Sequence, residues 1–381
     1  MLPSPKDRFL AYKSNWFGVS VKLATYQEAI RISKLYKAKN PNSKIVWGGP
    51  QISCDSVGIK LANPDVELFV GEWDHTKDLD SLPFPDYSRF DSYGYLVKSW
   101  QTGRIHYPII TSRGCPYNCL YCSSHLITGK KWRARSAQNC YDELKRTKQK
   151  YKIKYFEILD DCFNLDMNRV IEFCNFVKPL KLSWSCPNGV RADRFNDDVA
   201  KAMFDSGCRH VSFGIESADP EILKSIKKGE TIGQIEHAID VAKKYYKSVS
   251  GYLIIGLPKS TYEKDLQSLH WALEKGIRAH FSYLVPFKGT ELYDVYYKGT
   301  SSDKAIFFGQ GAHPISNAYP KELQKRIYDL TEYMRGDRST LSLIRKPFIS
   351  LKSVLVYDRG HLKKHFSATS RILKNRVSTN K

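Results

Sequence analysis

From about residue 105 onward, short apolar runs alternate with longer amphipathic stretches. The apolar runs occupy residues 108–111, 155–159, 182–185, 210–214, 252–255 and 281–285. Between them lie "SAQNCYDELKRTKQKY", "NRVIEFCNFVK", "NDDVAKAMFDSG", "TIGQIEHAIDVAKKYY" and "YEKDLQSLHWALEKG". In these, apolar residues return every three or four positions, the period of a helix with one buried face. Runs of four or five apolar residues bounded by turn residues read as buried strands. Six strands, each followed by a helix, predict an all-parallel sheet that right-handed crossovers curl toward a barrel. In that architecture functional groups sit at the C-terminal ends of the strands.

A smaller α/β unit precedes it. "TYQEAIRISKLYKAKNPNSKIVWGGPQIS" places apolar Ala29, Ile32, Leu35 and Tyr36 on one helix face, then Asn-Pro punctuation, then a strand at 44–47 that ends in two glycines. A second strand is expected at 66–72, and "LDSLPFPDYSRF" with its two prolines reads as a linker. The fold class is therefore α/β. The expected divisions are a small unit over 1–80, a linker over 81–104, a partial (β/α)6 TIM-like barrel over 105–300, and a helical, basic segment over 301–381.

Composition adds three constraints. The 381 residues carry a formal charge of +21, and residues 341–381 hold ten Lys or Arg against one acid, Asp358. A solvated basic tail is the plain reading, and a polyanion contact the sharper one. No apolar run approaches the roughly 20 residues of a membrane span, and no leader is recognisable, so a cytoplasmic protein is expected. Nine cysteines at irregular spacing argue for reduced thiols rather than a disulfide framework.

Three of them stand together. "CPYNCLYC" places Cys115, Cys119 and Cys122 directly after the first barrel strand, where an active site belongs. Three thiolates can hold three irons of a four-iron cluster and leave the fourth open. Alternatively His125 completes a Cys3His zinc tetrahedron. Polar residues recur at the later strand ends: Asp160 and Asp161, then Asn188 and Arg191, then Glu216 and Ser217, then Gly256. A self-contained zinc knuckle asks nothing of such distant positions, whereas a cluster with an open iron needs a pocket.

Over about residues 105–300 the chain resembles the radical S-adenosylmethionine (SAM) enzymes. "CPYNCLYC" resembles their cluster loop, Tyr121 included; "HVSFGIESADPEILKSIKKGETIGQIEHAI", "GYLIIGLPKSTYEKDL" and "LVPFKGTELYD" are similar to their fourth, fifth and sixth strand segments. The resemblance implies that Cys115, Cys119 and Cys122 ligate a [4Fe-4S] cluster. Its open iron would bind SAM, which is cleaved to a 5'-deoxyadenosyl radical that acts on a substrate by methyl transfer, cyclisation or rearrangement. It further implies a flavodoxin- or ferredoxin-like reductant protein. Asp160 and Asp161 would face the sulfonium and ammonium, Arg191 a carboxylate, Glu216 with Ser217 the ribose diol, and the backbone at Gly256 the adenine. Cys162 and Cys186 are read as reduced packing cysteines, with facing the substrate or holding a second cluster as the alternatives, and Cys54, Cys140, Cys174 and Cys208 as structural.

Residues 24–72 resemble the latter half of the Rossmann-like cobalamin domain of one branch of these enzymes, through "NPNSKIVWGGPQIS", "NPDVELFVGE" and "LPFPDY". The D-x-H-x-x-G loop of that domain is missing, and His75 in "WDHTKD" does not replace it. The expectation is a truncated domain that covers the barrel without holding cobalamin; were cobalamin bound, its cobalt would lack that histidine. Two rivals stay open from sequence: a zinc-stabilised nucleic-acid-binding protein, and a barrel that keeps its cluster without turnover.

Overall fold

The computed structural model describes residues 10, 13–72, 78–87, 106–299 and 314–331, together with 354, 358–361, 363, 365–367 and 370. His75, residues 88–104 of the linker and most of the basic tail lie outside them. The chain forms two compact units, and neither is one continuous stretch. Residues 1–76, 120–130 and 285–315 make the smaller, and 77–119, 131–284 and 316–381 the larger.

The smaller unit is a three-stranded parallel sheet in the order β1 (Trp16–Ser20), β2 (Lys44–Gly48), β3 (Glu67–Leu68). Strand β1 was not expected: the sequence reading left no strand before Thr25. Its sequence includes apolar Trp16, Phe17 and Val19, but its side chains alternate between exposed and half-buried and none is fully buried. Helix α1 (Tyr26–Lys39) packs Ala29 and Tyr36 against Ile45 and Trp47. The buried Trp47 indole donates to Ser33 Oγ at 2.8 Å, satisfying its one polar atom. The short helices α2 (Pro50–Cys54), α3 (Ser56–Ala62) and α4 (Ser124–Ile127) also belong to this unit.

The larger unit carries the expected parallel sheet. Strand β4 (His106–Ile109) is followed by a two-residue antiparallel pair, β5 (Ser112–Arg113) with β6 (Arg133–Ala134), which the sequence did not disclose. Then come β7 (Tyr155–Ile158), β8 (Ser183–Ser185), β9 (Cys208–Glu216), β10 (Val249–Ile255) and β11 (Arg278–Tyr283). The six-stranded order is β11-β10-β9-β8-β7-β4, so each strand lies beside its predecessor in the repeat and every pairing is parallel. This is the partial (β/α)6 barrel read from the sequence.

The helices between them are α5 (Ala137–Tyr151), α6 (Met167–Val177), α7 (Asp197–Asp205), α8 (Pro220–Ser225), α9 (Ile232–Tyr245) and α10 (Tyr262–Glu274), with α11 (Lys321–Leu330) beyond the last strand. Each of the six starts on a side-chain cap that takes up an orphan backbone N–H: Ser136, Asp166, Asn196, Asp219, Thr231 and Thr261. Thr231 and Gln234 form a reciprocal capping box. Between helices and sheet, Phe156 stacks on Trp184 at 5.7 Å while Phe173 meets that indole edge-on at 5.9 Å. Strands packed this way are anchored rigidly, and the loops at their C-terminal ends inherit the register.

Candidate functional site

The cysteine loop leaves the larger unit at Cys119 and enters the smaller at Leu120. On the larger-unit side, the Cys115 thiol is lowered to about 7, first by a hydrogen bond from the Cys162 thiol and further by the Tyr117 backbone and the Arg191 charge, against the effect of burial. Cys162 is correspondingly raised. Cys115 is thereby held near its thiolate form, the form that ligates metal. Cys162 thus has a role the sequence reading did not give it: it is buried and bonded to the first cysteine of the loop. Cys186, by contrast, is simply buried. Cys119 Sγ lies 4.0 Å from the carbonyl of Lys228.

On the smaller-unit side, Tyr121, Cys122 and His125 are all half-buried. His125 is pushed down by burial and by Lys130, so its imidazole is neutral. Cys54, left as structural by the sequence, bonds to Ser123 and feels Cys122, while burial raises its thiol to about 11.

Arg191 organises the larger-unit side. Its guanidinium stacks over the Tyr117 ring at 3.4 Å, and its Nε donates to Asp193 Oδ1 at 2.8 Å. Its Nη1 and Nη2 donate to the carbonyls of Lys228 and Gly229, each at 3.3 Å. Burial works against the charge, but Asp193 and Glu230 more than offset it and the pKa is raised. The side chain therefore ties the loop to the segment after α8 in addition to carrying charge.

Glu216 ends β9 with a φ of 66°, a left-handed backbone that costs a non-glycine residue on the order of 1 kcal/mol. Its Oε1 pairs with Lys228 Nζ at 3.2 Å, and Lys228 also reaches Glu230 Oε2 at 3.2 Å. Burial opposes the ammonium, yet the two carboxylates raise its pKa. Lys228 and Glu230 were missed: "IKKGET" reads as a solvated turn, and the only signal was two adjacent lysines directly after the apolar Ile226.

The remaining strand-end residues divide sharply. Asp160 is buried, with Oδ1 accepting from the Thr111 backbone at 2.6 Å and Oδ2 from the Thr111 and Ser112 hydroxyls at 2.6 and 2.7 Å. Burial raises its pKa. Both oxygens hold the end of β4, immediately before the cysteine loop. Asp161 is exposed beside it. Ser217 accepts from the Asp219 backbone at 3.2 Å, and Ala218 donates to Ser268 Oγ at 3.1 Å, so this turn is occupied in starting α8. Gly256 has φ 81°, donates to Asp265 Oδ2 at 2.9 Å, and would place a Cβ 2.7 Å from that of Ser316. The room left by its missing side chain is taken by Ser316. Asn188 donates to the Leu159 carbonyl at 3.0 Å, bracing the β7 end.

The profile of the Radical SAM superfamily matches residues 109–284. An uncharacterised methyltransferase of Pyrococcus horikoshii is 31% identical over 318 residues, covering 73% of this chain and 68% of its own. The cytidylyl-2-hydroxyethylphosphonate methyltransferase of Streptomyces wedmorensis is 32% identical over 228 residues, or 56% of this chain and 43% of its own length. Among solved structures, the radical SAM methyltransferase TsrM of Kitasatospora setae, with cobalamin and a [4Fe-4S] cluster bound, superposes with TM-score 0.63 and 13% identity. That match covers 97% of this chain and 90% of TsrM, and it supports the fold.

Proposed function

The chain belongs to the radical SAM superfamily, and from that premise we propose that it is a methyltransferase built on the radical SAM barrel. The observation that carries the proposal is the 31% identity to a methyltransferase across most of both chains. The zinc and nucleic-acid reading is not favoured by these relatives. The chain spans less than half of the phosphonate enzyme, so its own acceptor is not inferred from that protein.

The donor set fits a [4Fe-4S] cluster: Cys115, Cys119 and Cys122 supply three thiols on one loop, and the first is held near its thiolate form. A cluster held there supplies an electron to the sulfonium of SAM. The protein's own residues bind and orient. Glu216, paired with Lys228, offers a carboxylate to a ribose diol. Asp161 faces solvent beside the β7 end and suits the cationic part of the cofactor. Arg191 and Tyr117 form a flat, charged shelf beside Cys115. Asp160, Ser217 and Gly256 act in this reading by fixing the loops that carry those groups.

The structural neighbour TsrM holds cobalamin, and methyl transfer through that group would place it in the smaller unit. Residues 10–72 include no histidine, so cobalt would take no imidazole from that stretch. The electrons would come from a flavodoxin- or ferredoxin-like protein in the cytoplasm, in keeping with nine free thiols. No helix among the described residues is long and apolar enough to cross a membrane. The polyanion contact falls on the tail outside the described residues.

The test is an anaerobic preparation reconstituted with iron, sulfide and cobalamin, given a strong reductant, methyl-labelled SAM and a small-molecule extract as acceptor. Iron and sulfide near four per chain, stoichiometric cobalt and label transferred to an acceptor support the reading. Release of 5'-deoxyadenosine with no label transferred and no cobalt retained would replace it by another radical SAM reaction. Cys119→Ala should lose both iron and SAM cleavage while its circular dichroism stays native.

A further inference from the structure

We propose that His270, Asp358, His361 and His365 form a zinc site that fastens the C-terminal segment onto helix α10. The cluster shares no residue with the site above. Asp358 Oδ2 faces His270 Nε2 at 2.8 Å and His365 Nε2 at 2.7 Å, and its Oδ1 faces His361 Nδ1 at 2.8 Å. One ligand atom from each of His270, Asp358 and His365 falls within 4.8 Å of the others. The rings of His270 and His361 stack with centroids 3.7 Å apart, which aims both toward the same carboxylate. Asp358 and His365 are buried.

Two features argue for an ion rather than a set of hydrogen bonds alone. Positions 358, 361 and 365 follow the spacing that brings side chains onto one helical face, and His-x3-His falls within the range used by zinc. The second is charge. Asp358 is the one acid among the last 41 residues, yet its ion-pair partners among the described residues are all histidines. Among the described residues no Lys or Arg pairs with this buried carboxylate. A divalent ion would supply a fixed positive charge beside it. His270, Asp358 and His365 supply a nitrogen and oxygen set suited to zinc, and His361, held on the other carboxylate oxygen, is the candidate for the fourth position. To ligate zinc, each imidazole presents an unprotonated ring nitrogen and carries its proton on the other. The ion would join positions 88 apart in sequence, the kind of closure from which a metal clip stabilises most.

The test uses the full chain with its cluster, purified anaerobically, dialysed against excess zinc sulfate and then against buffer. Metal analysis should find about one zinc per chain beside the iron, and X-ray absorption at the zinc edge should show nitrogen or oxygen neighbours at about 2.0–2.1 Å. His270→Ala and His361→Ala should each weaken retained zinc at least about tenfold with iron content unchanged. His361 is the more exposed of these rings, at 39%, and its variant keeps the test valid if His270→Ala misfolds. A sulfur shell near about 2.3 Å would place the zinc in the cysteine loop. That result, absence of retained zinc, or unaltered zinc in both variants would overturn the proposal.

Discussion

The ends of β7 and β9 hold carboxylates in the same structural position, and the fold uses them differently. At the β7 end, Asp160 has both oxygens taken by Thr111 and Ser112. At the β9 end, Glu216 sits on a strained backbone with its carboxylate paired to a buried lysine. One carboxylate builds the platform for the cysteine loop; the other is held by an ion pair on a backbone that costs free energy to adopt. A strand-end position in a barrel identifies where chemistry can occur, but the partners of each side chain decide which residue is available for it.

Changes on the platform side should register mainly as stability. Asp160→Ala strands one buried backbone N–H and two hydroxyls, and should cost roughly 4 kcal/mol. Calorimetric Tm should fall by about 10 °C; a shift of less than about 2 °C would mean that Asp160 is not what holds β4. Lys228→Met removes the cation from two buried carboxylates and should cost about 3 kcal/mol. Because it also releases Glu216 from the ion pair that positions it, it should weaken SAM binding, which Asp160→Ala should not do once temperature is lowered to restore the fold. If Lys228→Met lowers Tm and leaves SAM binding intact, Glu216 belongs with Asp160 and the contrast fails.

The smallest effect concerns the other end of β9. Burial, with Arg278 nearby, pushes the His210 imidazole from 6.5 down to about 4. Its folded pKa lies below the unfolded value, so the unfolded chain binds the extra proton first. Stability is full above pH 6.5 and is lost as pH falls toward 4. Between pH 7 and 5.5 this one group should remove about 1 kcal/mol, and His210→Gln should flatten that part of the Tm profile. A profile unchanged by the substitution would show that His210 is already solvated in the native state.

Much of this was legible in the sequence because it rests on local pattern. The six barrel strands appear close to where their apolar runs place them, since the positions that pack into the core, such as Phe156 and Ile158 of β7, must be apolar. The cysteine loop was legible because its spacing is itself the chemistry. What stayed hidden depends on partners far along the chain. Asp160 and Asp161 are adjacent and identical in type, and only the hydroxyls of Thr111 and Ser112 tell them apart. Lys228 reads as a surface lysine until Glu216 and Glu230 are seen to enclose it. None of the apolar residues of strand β1 is fully buried, and the Asp358 cluster needs His270 from 88 residues upstream. Division of the chain into non-contiguous units is likewise a product of packing, for which a linear reading has no signal.

The most direct test compares SAM binding by Glu216→Gln and Asp160→Asn, both cluster-loaded and measured at a temperature where each is fully folded. Glu216→Gln should bind about tenfold more weakly, the loss expected for one charge-assisted hydrogen-bond acceptor, while Asp160→Asn should bind like the unaltered protein. Equal losses in the two variants, or a loss confined to Asp160→Asn, would contradict the assignment of Glu216 to the cofactor.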